Sequence, residues 1–263
     1  MLIISSHFFI FLFIIFGYGL FFFKIFKTSS FSYNINIFEI PVFGLIFLGL
    51  FSQIYNFFYP LDDNFLIINI LLSSLFIFKF LKNYKNQSLF LLNNKFSFFF
   101  LLLLFLTFIK IYGSDFSDDI DHYHYSYISN TDTSNYIFGL NFLNNHYGYS
   151  PIWLIINSAL NFDNYRLQDI HVVNSIPFFL VLSILCYKIF YQIEKKKIDL
   201  TFFVKIFIIF FVLLKYTRLE EYGIDRSINL LFFYYLIFYL ENIYFLIKKK
   251  NYKNINSLIY ILL

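Results

Sequence analysis

Seven apolar stretches, each close to the length that crosses a lipid bilayer, set the frame for this chain. A helix needs roughly 20 apolar residues to span the hydrocarbon layer. Stretches of that order fall at about 2–23, 38–59, 64–81, 96–112, 175–193, 201–216 and 228–247, the third and sixth being the shortest, and an eighth begins near 255. Only helices or closed barrels satisfy their backbone groups in lipid. The expected fold is therefore all-α, a polytopic helical membrane protein of about 7–8 transmembrane helices, with residues 1–263 as a single transmembrane domain. Composition agrees: 59% of the residues are hydrophobic and 14% charged, which leaves too little polar surface to cover a water-soluble domain of 263 residues. With Ala159 as the only alanine, the heavy use of Phe, Ile, Asn, Lys and Tyr reads as the mark of an AT-rich genome, so the phenylalanines carry no functional weight.

The charges between the stretches fix an orientation. Lys24 and Lys27, Lys79 to Lys85, Lys195 to Lys197 and Lys248 to Lys250 fall in alternate gaps, and Asp62, Asp63, the long stretch 113–174, Glu220, Glu221 and Asp225 fall in the others. The positive-inside rule then puts every lysine cluster on the cytoplasmic side and the amino terminus outside. The net charge of +4 is thus spent on membrane orientation, and no nucleic-acid partner is expected. The partner that composition does imply is the lipid bilayer itself, and no protein partner is implied. Met1 to Ser6 lacks the basic region and cleavage site of a signal peptide, so the first stretch reads as a retained span. The eighth stretch runs out at Leu263, which reads as an incomplete span or an incomplete gene. Cys186 is the only cysteine, so no intramolecular disulfide and no thiolate cluster forms.

The outer loop 113–174 concentrates the chemistry-bearing residues. It holds His122, His124, His146 and His171, four of the five histidines, and Asp115, Asp118, Asp119, Asp121, Asp132, Asp163 and Asp169, seven of the sixteen acids, against Arg166 alone. Its densest piece is Ser117-Asp118-Asp119-Ile120-Asp121-His122-Tyr123-His124-Tyr125. A structural account of these acids is available: Ser117 or Asp118 as a helix N-cap, Asp121 closing a capping box, and carboxylates favouring the positive end of a helix dipole. On a helix, however, Asp119 and Tyr123 share a face, as do Asp118 and His122. A carboxylate held beside imidazole and phenol groups acts as a general base or holds a divalent cation, the one cofactor these residues suggest. As a zinc site the His122-x-His124 pair lacks a third ligand at a recognised spacing.

Asp119-x-x-x-Tyr123-His124, then Gly139-Leu140-Asn141-Phe142-Leu143 and His146-Tyr147-Gly148-Tyr149-Ser150-Pro151-Ile152-Trp153, resembles a family of bacterial polytopic membrane proteins similar to the GT-C glycosyltransferases. Leu48-Gly49-Leu50 with Tyr59-Pro60-Leu61, and Glu221-Tyr222-Gly223-Ile224-Asp225, fit the same resemblance, which covers most of the chain. The resemblance implies a multi-pass protein of the bacterial inner (cytoplasmic) membrane, taking a sugar from a lipid-phosphate-linked (polyprenyl phosphate) donor on the outer face in cell-envelope glycan assembly. It also implies a further carboxy-terminal half. Asp119 inherits the role of the acceptor-activating carboxylate, with Tyr123 and His124 beside it as catalytic candidates. Asp118 and Asp121 are the substrate-binding neighbours, joined across the cavity by Glu221 and Asp225, while His124, His146 or Arg226 would neutralise the departing lipid phosphate. Where the resembling family carries an arginine, this chain has His146, so a permanently charged clamp there is not implied.

Three other features complete the reading. Tyr149 to Leu160, with Trp153, reads as an amphipathic helix lying in the membrane interface, anchored by its aromatics. Lys188 and Lys205 fall inside apolar stretches within about two turns of a cytoplasmic end, where snorkelling accounts for them. Pro177 suits the first turn of its helix. Three competing functions remain: an O-antigen-polymerase-like protein, for which the loop offers only Arg166; a transporter, for which Gly- or Pro-broken spans are scarce; and an inactive fragment.

Overall fold

A computed structural model describes residues 2–25, 37–83, 94–113, 124–137, 152–215 and 223–248. These form α1 (Leu2–Ile25), α2 (Ile40–Asn56), α3 (Asp63–Asn83), α4 (Asn94–Tyr112), α5 (Tyr125–Thr133), α6 (Ile152–Ala159), a 3-10 turn at Asp163–Tyr165, α7 (Arg166–Glu194), α8 (Leu200–Lys215) and α9 (Gly223–Lys248). Among the described residues there is no strand. Seven of the helices lie on the seven apolar stretches. Three segments, Leu2–Ile25, Asp63–Phe80 and Gln168–Glu194, are long and apolar enough to cross a membrane. The eighth stretch, near 255, lies outside the described residues.

Side-chain contacts fix how the helices run. The start of α1 meets the end of α4 through Ser5 and Tyr112, whose hydroxyls are 2.9 Å apart, and meets the start of α7 through His7 and Asp169. The start of α2 meets the end of α7, where the Lys188 ammonium is 2.7 Å from the Glu39 carboxylate. Ser227, near the start of α9, donates to the Asn174 carbonyl in the first half of α7. One end of the bundle therefore gathers the starts of α1, α3, α7 and α9 with the ends of α2 and α4, and is called the loop end here. The opposite end carries Lys24, Lys82 and Lys195 to Lys197.

Close approach of α1 and α2 depends on glycines. A Cβ on Gly44 would stand 1.8 Å from the Ile15 carbonyl oxygen, one on Gly19 would stand 2.1 Å from that of Ile40, and one on Gly17 would meet Ser73 of α3 at 2.6 Å. Small residues at such crossings let backbones touch, which is how helices associate where lipid supplies no hydrophobic drive. Ser73 adds a hydrogen bond to the Ile14 carbonyl at 3.0 Å.

α7 is the axis of the fold. It packs against α1, α2, α4, α6, α8 and α9, and every residue from Asp169 to Leu185 is buried. Outward faces of the other helices are apolar instead: Phe78 is 70% exposed, Phe207 70% and Leu214 77%. A monomer in water does not present apolar area on that scale, whereas hydrocarbon solvates it.

α7 corrects two expectations. It begins at Arg166, not near 175, so Arg166 to Asn174 belongs to the helix and not to the loop. Its polar residues Asp169, His171 and Asn174 look inward, which is why the stretch reads as loop-like in sequence while packing as core. Pro177 consequently lies inside the helix rather than in its first turn. Proline there donates nothing to the carbonyl four residues earlier, a loss that helices tolerate when packed among neighbours.

Snorkelling does not describe the two intrahelical lysines. Lys205 is fully buried, its ammonium 2.6 Å from Glu241, and Lys188 lies 2.6 Å from the other Glu241 oxygen and 2.7 Å from Glu39. Two lysines and two glutamates thus form one neutral quartet joining α2, α7, α8 and α9, where an unpaired charge is expensive.

Candidate functional site

At the loop end, α5 and α6 sit on the long helices rather than beside them. α6 is short, yet Trp153 to Ala159 are all buried, packed against α2, α5, α7 and α9. The Trp153 indole donates to the Asn174 side-chain oxygen at 2.7 Å. This overturns the interfacial-anchor expectation. With its own NH satisfied by a buried amide, the tryptophan is a core residue of the bundle. Tyr149, Ser150 and Pro151 lie outside the described residues. Gly49 of α2 supplies the room, since a Cβ there would meet Ile152 at 2.9 Å and Ile156 at 3.0 Å.

α5 is held by polar contacts on both sides. Asn56, at the end of α2, donates its amide to the carbonyls of Thr131 and Ser134, and its own carbonyl accepts the Tyr136 N–H at 2.7 Å. The Leu61 N–H reaches the Thr131 carbonyl at 2.9 Å. Facing α6, Asp132 is 3% exposed and accepts from the Ser158 hydroxyl at 2.5 Å and the Asn161 amide at 2.9 Å. A buried carboxylate has to be hydrogen-bonded to be tolerable, and here those bonds seat α5. A small apolar cluster of Leu61, Phe65, Tyr127, Ile128, Leu154, Ile155, Ala159 and Ile170 fills the space between them.

His124 immediately precedes α5 and is buried, 5% exposed, so this catalytic candidate is fixed in the bundle. Asp118, Asp119, Asp121, Tyr123, His146 and Glu221 lie outside the described residues, as do Ser117 and the capping box. Asp225 and Arg226 are helical, in the first turn of α9, just before Ser227. Ser227 ties that turn to α7 at Asn174, the residue that also binds Trp153. The loop end therefore brings His124, the backbone of Asp225 and Arg226, and the Asn174–Trp153 pair to the same side of the bundle.

His7 and Asp169 form a pair the sequence did not announce. The His7 Nδ1 and Asp169 Oδ1 atoms are 2.6 Å apart, with side-chain exposures of 8% and 1%. The second carboxylate oxygen, Oδ2, accepts the Phe162 N–H at 2.9 Å. Phe162 lies over the imidazole with ring centroids 4.2 Å apart, and Tyr165 meets it edge-on at 5.3 Å. One signal was available: His7, Phe11, Ile14 and Tyr18 recur at helical spacing and all four are buried, so the histidine shares the inward face of α1. Among the described residues, no three His, Cys, Asp or Glu side chains converge to hold a metal ion.

A family model described as a domain of unknown function (DUF8201) matches residues 1–263. No curated protein and no solved structure matches the chain.

Proposed function

The chain belongs to the DUF8201 family, a domain of unknown function, and we propose that it is a GT-C-like glycosyltransferase of the bacterial inner membrane. In this reading α1 to α4 and α7 to α9 are seven membrane crossings, and the loop end faces outward. The protein takes a sugar from a lipid-phosphate donor that reaches the loop end from the bilayer. Asp119 is the carboxylate of the reaction centre, as a proton acceptor or as the holder of a divalent cation. Tyr123 and His124 flank it, Asp118, Asp121, Glu221 and Asp225 bind the substrates, and His146 and Arg226 balance the charge that grows on the leaving phosphate.

The observation that carries this reading is the position of the residues on either side of the acidic run. In sequence the run lies between the end of α4, fixed by the Tyr112–Ser5 contact, and the buried His124 before α5. Both anchors belong to the loop end, and so does the first turn of α9 with Asp225 and Arg226. Lys24, Lys82 and the run Lys195 to Lys197 lie at the other end, as the positive-inside rule asks of a cytoplasmic face, against single lysines, Lys110 and Lys215, in the last turns of α4 and α8. The test is transfer of labelled sugar from polyprenyl-phosphate donors by membranes containing the full chain. Asp119→Asn is expected to lower the rate by ~10²–10⁴-fold, the usual worth of a positioned acid–base group, and to deplete the corresponding surface glycan. Unchanged transfer and unchanged glycan in that variant would sink the assignment.

A further inference from the structure

We propose that His7 is the base that takes the acceptor's proton, with Asp169 as its positioning residue. The inference rests on the transferase reading and reassigns one role within it. His7 is on α1, 162 residues from Asp169 in sequence, and its ring is wedged between Phe11, Phe162 and Tyr165 at the loop end. The Asp169 carboxylate is held at both oxygens, by His7 at 2.6 Å and by the Phe162 N–H at 2.9 Å, so its position is set independently of the histidine. In the arrangement we propose the carboxylate accepts from Nδ1–H, which leaves the ring lone pair on Nε2. Fixing the tautomer in this way is the division of labour by which a buried aspartate makes a histidine a competent base.

Mere anchoring is achieved elsewhere at this end without a base. Asp132 is held by a hydroxyl and an amide, and Trp153 by an amide. An imidazole backed by a carboxylate adds to such anchoring a ring nitrogen that can accept a proton. In the proposed step the acceptor's O–H proton moves to His7 Nε2 while its oxygen bonds to the anomeric carbon. The bond from that carbon to the phosphate oxygen breaks, and its electron pair leaves with the lipid phosphate. The imidazolium, balanced by Asp169, then returns its proton to water. Among the described residues, the other titratable groups near this point are Tyr165 and Asp163 of the 3-10 turn, Asp63 of α3, which accepts the Asp163 N–H, and Tyr112 of α4, which binds Ser5.

The experiment uses the full chain in nanodiscs with polyprenyl-phosphate-linked sugars as donors. His7→Asn keeps an N–H close to the Nδ1 position, so Asp169 keeps its donor while the base is lost. It is expected to leave the thermal midpoint nearly unchanged and to lower kcat by ~10²-fold or more with little change in KM. Asp169→Asn should lower kcat likewise, because an amide can present its N–H to Nδ1 and switch the tautomer, and Asp169→Glu should recover part of the rate. A folded His7→Asn protein that keeps its rate within threefold would overturn the inference while leaving the transferase reading intact. If the wild-type chain transfers no sugar, that reading fails instead, and diethyl pyrocarbonate decides the dyad by itself. Acylation of His7 that is ~10-fold faster than in Asp169→Asn supports a base presented by Asp169, and equal rates in the two proteins overturn it.

Discussion

Lys205 has no exposed surface and carries a charge, so what matters at that residue is its partner. Glu241 bridges it to Lys188, with both contacts at 2.6 Å, and Lys188 reaches on to Glu39 at 2.7 Å. Removing one member of a buried ion pair leaves the other uncompensated, at a cost of about 3–5 kcal/mol. Glu241→Gln is therefore expected to lower the unfolding midpoint of the detergent-solubilised protein sharply. Adding Lys205→Met to it should recover most of the loss, because Lys188 and Glu39 still pair and no buried charge is stranded. A double variant no more stable than Glu241→Gln alone would show that the quartet is not the source of the effect. Such pairings were not legible in the sequence. Lys188 and Lys205 were visible as charges in apolar runs, but nothing local said that Glu39 and Glu241, far away in the chain, would meet them. His7 and Asp169 were hidden in the same way, since a side chain's facing partner is set by tertiary packing and not by its neighbours.

Elements were read more successfully than contacts, and the exceptions share a cause. Apolar runs of membrane-spanning length, divided by lysine or aspartate gaps, gave the positions of α1 to α4, α8 and α9 to within a few residues, because lipid demands both the length and the apolarity. The start of α7 was missed because Asp169, His171 and Asn174 are polar residues turned toward a protein interior, where hydropathy mistakes core for loop. α6 reads in sequence as an interfacial helix for the converse reason: its Trp and Ile residues would suit a membrane surface, but α2, α5, α7 and α9 surround them. The acidic run stands out in the sequence, whereas the seating of its neighbour α5 on Asn56, Ser158 and Asn161 does not. At this scale the glycine crossing makes the sharpest prediction. Gly44→Ala puts a methyl group where a carbonyl oxygen of α1 already stands, 1.8 Å away, and backbone cannot move aside as a flexible side chain can. Overpacking typically costs about 1–3 kcal/mol, and this contact belongs at or above the top of that range. Denaturant titration in micelles should show it, with Gly113→Ala as a mild control whose Cβ meets nothing closer than 3.2 Å.

For the molecule as a whole the decisive quantity is which end faces which side of the membrane, because the transferase reading requires the loop end to be outside. The two ends differ in charge: Lys195 to Lys197 close α7 at one end, and Asp63, Asp163 and the His7–Asp169 pair occupy the other. Moving lysine clusters across the bilayer is unfavourable, so the proposed orientation has the lysine end in the cytoplasm. A single-cysteine experiment reads this directly once Cys186→Ala has removed the native thiol. Asn164→Cys, in the exposed 3-10 turn, should react with a membrane-impermeant maleimide on intact cells. Lys197→Cys, exposed between α7 and α8, should react only after the membrane is permeabilised. The opposite pattern would put His7, Asp169 and the acidic run on the cytoplasmic side, where water-soluble nucleotide sugars are available. The requirement for a lipid-linked donor would then lapse even if the helices cross the membrane as proposed.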